Sequence, residues 1–254
     1  MQVVRGKRLS VTDDLTTPIL PGTAASDYER YLRTEELLAL QKTPEERRHD
    51  DELTFQVVHQ ASELLMKGVV HEIERARERL GQGNFADCAR LLRRANLMLD
   101  YPIQLLHVLE TITPYDYQII RAGLGHGSGL DSPGFSGLLH IAPRLGDVFF
   151  GQLKEAGLTV NDLYRRHAEL FGLHDVAECM LDFDERVQAF RFHHLKLAQR
   201  IIGGFVSGTM GTPVEVLRQR QEHVFYKPLW DVRNEITQAA SGDEGSQLGH
   251  GRQY

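Results

Sequence analysis

Apolar residues recur every three or four positions along most of this chain, which is the spacing that lines one face of an α-helix. The longest stripe spans residues 51–80 and contains Phe55, Val58, His59, Ser62, Leu65, Val69 and Ile73. The same periodicity predicts further helices over residues 26–41, 86–112, 115–124, 184–202 and 213–239. Strand-like alternation does not persist for long. The pattern therefore predicts an all-α, bundle-like fold.

Polar residues, glycine and proline mark the ends and weak points of these helices. Asp50 or Asp51 is expected to cap the longest helix, and Gly81-Gln82-Gly83 is expected to end it. Pro102 is expected to kink or break the helix that follows, because proline lacks a backbone N–H.

Turn-forming residues also suggest where the folded domain begins and ends. Thr16-Thr17-Pro18 and Pro21-Gly22 predict an irregular N-terminal arm over residues 1–25. The Gly- and Ser-rich C-terminus predicts a disordered tail over residues 240–254. A single all-α domain is expected between them, over residues 26–239.

Composition narrows the class of protein. The chain has 254 residues, 41% of them hydrophobic and 25% charged, as in an ordinary globular protein. Its formal net charge is -6, so no basic surface favours nucleic acid or an anionic membrane. No apolar run approaches a membrane span, and the N-terminus lacks a signal-peptide core. Since two cysteines are too few for a disulfide framework, a cytoplasmic protein is expected.

Two histidines on predicted helices, His59 and His194, are the main candidates for chemistry. His59 follows Phe55 by four residues on an apolar face, either as a hydrogen-bonded core residue or as a contact to a substrate nitrogen. His193 and His194 point about 100° apart on a helix, so they cannot bind one metal from one face. An axial haem ligand needs a single imidazole nitrogen, which spacing alone does not reveal.

Tyr117 and Arg121 stand four residues apart and share a helix face. An arginine fork and a tyrosine hydroxyl could jointly hold a carboxylate, and an exposed surface pair is the open alternative. His59 with Glu63, and Glu46 with His49, are possible fragments of a non-haem metal site. The paired Glu-x-x-His pattern of di-iron bundles is missing, however. Phosphate-binding glycine motifs are also missing, which disfavours a nucleotide ligand.

Taken in order, these features resemble the tryptophan 2,3-dioxygenase family of haem enzymes, from about Tyr28 to Arg233. The matching motifs are Tyr28-x-x-Tyr31-Leu32, His49-Asp-Asp-Glu52-Leu53-Thr-Phe55, His59-Gln60-Ala-Ser-Glu63-Leu64, Val108-Leu109-Glu110-Thr111-Ile112-Thr113-Pro114, Tyr117 to Arg121, Ser128-Gly129, Arg191-x-x-His194, Arg200-x-Ile202-Gly203, Gly208-Thr209-x-Gly211 and Pro228-Leu229-Trp230-x-x-Arg233. The resemblance implies an all-α haem domain and an enzyme that uses dioxygen to cleave the indole ring of L-tryptophan to N-formylkynurenine.

The same resemblance implies roles for individual residues on the haem side. His194 would be the protein ligand of a b-type haem iron, and Ser128 would lie near the haem or dioxygen. His59 would lie on the opposite side of the haem, close to the indole nitrogen, as the catalytic residue.

Substrate-binding roles follow from the resemblance as well. Phe55 would pack on the indole ring, Arg121 and Tyr117 would bind the substrate carboxylate, and Thr209 would contact the ammonium or the carboxylate. In this family the segment that matches Tyr28 and Tyr31 reaches a neighbouring subunit's site, so a homotetramer is implied.

Several positions depart from the family's usual residues. His193 replaces an arginine, Leu106 replaces a tryptophan, and Met210 lies in a changed glycine loop. Gly127 and Leu130 could make room for a substituted tryptophan. Two alternatives therefore stay open: a monooxygenase of the same superfamily that gives an oxindole or hydroxylated aromatic amino acid, and a helical ligand-binding protein without turnover.

Overall fold

The computed structural model describes residues 16–204 and 223–248, and these residues form helices without any strand. The predicted all-α class is confirmed. The helices are α1 Asp27–Leu32, α2 Thr34–Leu38, α3 Glu52–Gly81, α4 Phe85–Leu109, α5 Pro114–Arg121, α6 Pro133–Glu155, α7 Val160–Arg165, α8 Phe171–Ile201 and α9 Lys227–Leu248, with a 3-10 turn at Gly129–Asp131. None of the helices in these ranges is both long and apolar enough to cross a bilayer.

The chain forms two compact units, Met1–Arg47 and Arg48–Tyr254. In the first unit, Ser26 begins α1 with a capping box to Glu29. The Asp27 carboxylate accepts hydrogen bonds from the backbone of Ile19 and Leu20, at 2.7–3.0 Å. These bonds order the segment just before α1. The division predicted from sequence, with an arm over 1–25 and a domain over 26–239, stays a prediction.

Four long helices form the core of the second unit. Helix α3 packs against α4 and α6, and α4 also packs against α8. Their facing stripes bury side chains such as Ile73, Leu92, Leu145 and Phe183 completely. Each such side chain contributes about 1.5–3 kcal/mol through removal of apolar surface from water. These buried contacts give the site a rigid frame of helices.

Local sequence explains where the shorter elements begin. Thr113 accepts a hydrogen bond from the backbone N–H of Asp116, and Pro114 occupies the first turn of α5. Ser132 caps α6 in the same way, with Pro133 following. Helix α3 ends at Gly81, and Gly83 takes the left-handed φ of 72° that a non-glycine residue rarely adopts.

Helix α9 is fastened to the rest of the second unit by charged and hydrogen-bonded side chains. Arg233 donates to both carboxylate oxygens of Glu178 on α8, at 2.9 and 3.0 Å. It also donates to the hydroxyl of Tyr164 on α7, at 3.0 Å, and that hydroxyl donates to Glu178. One guanidinium therefore joins three helices.

Several helix predictions are corrected by the structure. The helix expected over residues 26–41 is two helices, because Arg33 adopts a left-handed φ of 53° between them. Pro102 does not break α4, which is continuous from Phe85 to Leu109. Helices α6 and α7 were not predicted, because glycines and Pro143 dilute the apolar pattern of α6.

The C-terminal predictions also change. Residues 223–226 are not helical, so the helix expected over residues 213–239 is wrong in this part. Buried Asp184 accepts hydrogen bonds from the backbone of Phe225 and Tyr226, which holds them outside a helix. Helix α9 continues to Leu248, so residues 240–248 are helical where sequence composition favours a disordered tail.

Candidate active site

Helix α3 presents Phe55 and His59 on one face, one turn apart. Their ring centroids are 4.1 Å apart, and Nδ1 of His59 lies 2.7 Å from the carbonyl oxygen of Phe55. His59 keeps an exposed edge, yet burial by the surrounding protein lowers its pKa, so the imidazole is neutral at neutral pH. Because a carbonyl oxygen only accepts, Nδ1 carries the proton, and Nε2 is left as an acceptor.

Tyr117 on α5 extends this face. Its ring centroid lies 6.1 Å from that of Phe55. Burial raises the pKa of Tyr117 and nearby Arg121 opposes that rise, so the phenol stays protonated and can donate. Arg121 is the last residue of α5, one turn after Tyr117 on the same face.

A small apolar cluster supports both helices beneath these side chains. Its buried members are Val58, Leu106, Leu109, Ile112, Ile120, Leu197 and Ile201, with Phe55 and Tyr117 partly buried against it. It draws on α3, α4, α5 and α8. The residues of the site are therefore fixed relative to one another by packing.

A polar contact reinforces the junction between α3 and α5. Nε2 of His49, just before α3, lies 3.4 Å from Oδ1 of Asp116 on α5. Arg48 passes so close to Gly123 that a Cβ there would meet its side chain at 2.9 Å. These contacts connect the start of α3 with both ends of α5.

His194 on α8 approaches the site from another side. Burial lowers the pKa of His194 to about 4, and neighbouring His59 adds to the shift, so this imidazole is also neutral. Its ring stacks on Phe190 at 6.0 Å with an 8° interplanar angle, and Phe190 stacks on Phe135 of α6 at 5.4 Å. The aromatic stack fixes the orientation of the imidazole.

A tight turn before α6 covers Nε2 of His194. A Cβ on Gly129 would lie 3.3 Å from that nitrogen, so glycine permits the close approach. Ser128 donates its backbone N–H to Oδ2 of Asp131 at 3.0 Å within the same turn. A neutral imidazole nitrogen is the form that can bind a metal, so His194 is the residue here that could hold a haem iron.

The adjacent histidines separate as their spacing predicts. The ring of His193 meets His107 on α4 edge to face at 5.0 Å, and Nδ1 of His107 lies 3.6 Å from Glu110. His193 therefore points toward α4, whereas His194 points toward the turn at Gly129.

The structure brings together Phe55, His59 and Tyr117 directly, with Arg121 beside Tyr117 and Ser128 in the turn at His194. Tyr28 and Tyr31 lie on α1 in the first unit, and both are exposed. Thr209 lies outside the described residues.

Three contributors were missed as site residues by sequence reasoning: Gly129, Glu63 and the pair of His49 with Asp116. Glu63 was considered only as a fragment of a metal site with His59. In the structure its carboxylate accepts hydrogen bonds from Ser132 and from the backbone of Gly134. The four-residue spacing of His59 and Glu63 was a usable signal, because it puts both side chains on one face of α3.

Comparison with known proteins identifies a family. The family described as tryptophan 2,3-dioxygenase matches residues 19–147, just over half of the chain. A tryptophan 2,3-dioxygenase of Bacillus thuringiensis (strain Al Hakam) is 27% identical over 259 residues, covering 82% of this chain and 92% of that protein. One from Caulobacter vibrioides (strain ATCC 19089 / CIP 103742 / CB 15) is 29% identical over 260 residues, covering 82% and 98%.

An all-α chain with these matches is an enzyme of the haem-dependent dioxygenase class. The chain belongs to the tryptophan 2,3-dioxygenase family. The matched range contains Phe55, His59, Tyr117, Arg121 and Ser128.

Proposed function

We propose that this enzyme uses haem and dioxygen to oxygenate the indole ring of L-tryptophan or a substituted tryptophan. The observation that carries the proposal is the contact of His59 Nδ1 with the carbonyl oxygen of Phe55, which leaves Nε2 as a hydrogen-bond acceptor beside the Phe55 ring. An indole offers one N–H donor on a flat apolar ring, which is the complement of that pair.

The remaining side chains suit the amino-acid end of the substrate. Arg121 binds the carboxylate, because its guanidinium offers a planar fork of donors. The protonated hydroxyl of Tyr117 adds a donor to the same carboxylate. Thr209, as the resemblance implies, contacts the ammonium or the carboxylate. Tryptophan bound in this way has its indole over Phe55 and its charged end at α5.

The residues on α8 and in the turn before α6 suit a b-type haem. His194 would hold the iron, and Ser128 would lie near the haem in the neighbouring turn. The haem supplies the oxygen chemistry, which no side chain in this site can perform. The protein orients the ring and accepts its N–H at His59.

Two further parts of the proposal concern assembly and location. A homotetramer in which Tyr28 and Tyr31 of one subunit reach a neighbouring site follows from the family resemblance, and both side chains are exposed here. A reducing cytoplasm suits a chain whose two cysteines, Cys88 and Cys179, are free and buried.

Haem reconstitution with a matched pair of variants tests the proposal. Wild-type protein and His193→Ala are expected to bind haem with a Soret band, whereas His194→Ala is expected to lose it. His193 is the control because it is the same residue type one position away. After reduction of the iron, tryptophan and oxygen-18 gas should give a product that carries two labelled oxygen atoms.

Other outcomes separate the alternatives. One labelled atom would identify a monooxygenase of the same superfamily. A normal Soret band in His194→Ala would contradict the assigned ligand. Haem binding with neither tryptophan binding nor turnover would favour a helical ligand-binding protein.

A further inference from the structure

Glu63 is an acidic side chain of α3 that reaches the turn at His194. Its carboxylate accepts a hydrogen bond from the hydroxyl of Ser132 and another, at 2.7 Å, from the backbone N–H of Gly134. A Cβ on Gly134 would lie 2.7 Å from Oε2 of Glu63 and 2.8 Å from Cβ of Met66. The carboxylate therefore fits against a backbone that only glycine leaves open.

Ser132, one partner of Glu63, belongs to a small hydrogen-bonded unit. Ser132 accepts the backbone N–H of Phe135 and so caps α6. The backbone N–H of Asp131 donates to the carbonyl of Ser128 at 2.9 Å, and Asp131 accepts the backbone N–H of Ser128. The backbone N–H of Ser132 also donates to the carbonyl of Gly129, at 3.4 Å. Because Ser132 is joined to Gly129 and Ser128 to Asp131, a hold on Ser132 restrains the turn.

This turn is also the surface that faces His194, through Gly129. Glu63 lies one helical turn after His59 on α3. Helix α3 carries His59. Through the carboxylate of Glu63, the same helix also holds the backbone that lies against His194.

We propose that Glu63 is a positioning residue, which anchors the turn of residues 128–132 to α3 and so fixes the backbone beside Nε2 of His194. This inference rests on the proposed function for the part that concerns haem. Glu63 does not act on substrate; it acts through Ser132 and Gly134. Both of its oxygens are engaged by these donors, one each.

Hydrogen exchange of the haem-free full-length protein tests the anchor directly. In Glu63→Ala, amides of residues 129–135 are expected to exchange about tenfold faster or more, because a charge-assisted acceptor is lost. Glu63→Gln keeps an acceptor and is expected to restore part of the protection. Glu78→Ala is the matched control, since Glu78 lies exposed on the same helix.

Haem dissociation provides the second readout. Transfer of haem to excess apomyoglobin is expected to be about tenfold faster from Glu63→Ala than from Glu78→Ala, with partial rescue by Glu63→Gln. Exchange in residues 129–135 that matches Glu78→Ala overturns the proposal. A uniform rise in exchange across the second unit without rescue by glutamine overturns it as well, because that result marks a general stability role.

The two arms keep this inference separate from the proposed function. A wild-type protein that takes up no haem contradicts the proposed function, while the exchange arm still decides whether Glu63 anchors the turn. Normal haem uptake with unchanged exchange in Glu63→Ala contradicts only the anchor.

Discussion

His59 is held in one tautomer by its own helix, because Nδ1 donates to the carbonyl oxygen of Phe55 at 2.7 Å. The acceptor lone pair of Nε2 is thereby aimed away from the helix backbone. A neutral imidazole in this state can accept a hydrogen bond from a substrate without a proton transfer in the ground state.

Replacement of His59 by alanine is expected to weaken tryptophan binding by about five- to tenfold, the worth of one hydrogen bond. An analogue with sulfur in place of the indole N–H should bind both proteins within about twofold, since it has no proton to donate. Binding to the haem protein, followed by its absorption spectrum, measures both. Equal losses for the two ligands would contradict a bond between Nε2 and the indole.

Removal of the Arg121 side chain is expected to cost tryptophan about 2–5 kcal/mol of binding, because a carboxylate in the site loses its ionic partner. Tryptamine lacks the carboxylate and should bind Arg121→Ala and wild type nearly alike. Tyr117→Phe should show a smaller loss in the same direction. Isothermal titration of both proteins with tryptophan and with tryptamine measures the two losses of affinity. An equal loss for tryptamine would show that Arg121 does not bind the carboxylate.

Substitution of Gly129 by alanine is expected to lower haem affinity, since its Cβ would sit 3.3 Å from Nε2 of His194. The control is Gly151→Ala on α6, where an added Cβ meets nothing within 4 Å. That control should leave haem uptake unchanged and stabilise the helix by about 0.5–1 kcal/mol. Haem titration and thermal melts of both variants provide the comparison. Identical haem affinity in the two would argue against crowding at Nε2.

Asp184→Ala is expected to destabilise the protein by about 3 kcal/mol or more, as several buried donors lose their acceptor. The buried carboxylate accepts from Phe225 N, Tyr226 N and the Trp230 indole, all near 3.0 Å. Asp182→Ala, two residues away and exposed, is the control. Urea unfolding measures the free energy of unfolding of both variants. If Asp184→Ala is less stable than Asp182→Ala by under about 1 kcal/mol, water replaces the lost acceptor.

The pH dependence of stability should reflect Cys88, which is fully buried. Burial raises the pKa of its thiol from 9.0 to about 12. At alkaline pH the folded state keeps the thiol proton that the unfolded state loses. The stability that the protonated thiol contributes is therefore complete below the unfolded pKa and decreases as pH rises toward the folded pKa. Between about pH 8 and about pH 10, wild type should lose about 1.4 kcal/mol more than Cys88→Ala. Chemical unfolding at each pH measures both proteins, and equal losses of stability in wild type and Cys88→Ala would refute the prediction.

Helical periodicity predicts α3 and α4 well because each carries an unbroken apolar stripe that packs on neighbouring helices. It fails for α6, where Pro133, Pro143 and several glycines interrupt the stripe, although Ser132 and Pro133 form a recognisable helix start. Arg33 shows another limit. Nothing in its residue type announces a left-handed backbone that divides one predicted helix into two.

For the site, spacing alone predicts which side chains share a helix, such as Phe55 with His59 and Tyr117 with Arg121. It does not predict which helices meet. The approach of Gly129 to His194 joins residues far apart in sequence and depends on how α6 and α8 pack. The resemblance of ordered motifs supplied the grouping of His59, Arg121 and His194 that spacing could not.

The bonds at Asp184 also determine how α9 is attached to the helix before it. The carboxylate on α8 holds the backbone of Phe225 and Tyr226 just before α9 begins, and it accepts from the Trp230 indole within α9. Loss of this single acceptor would therefore release the start of α9 at its backbone and at a side chain together, and α9 is expected to open locally before the four-helix core unfolds.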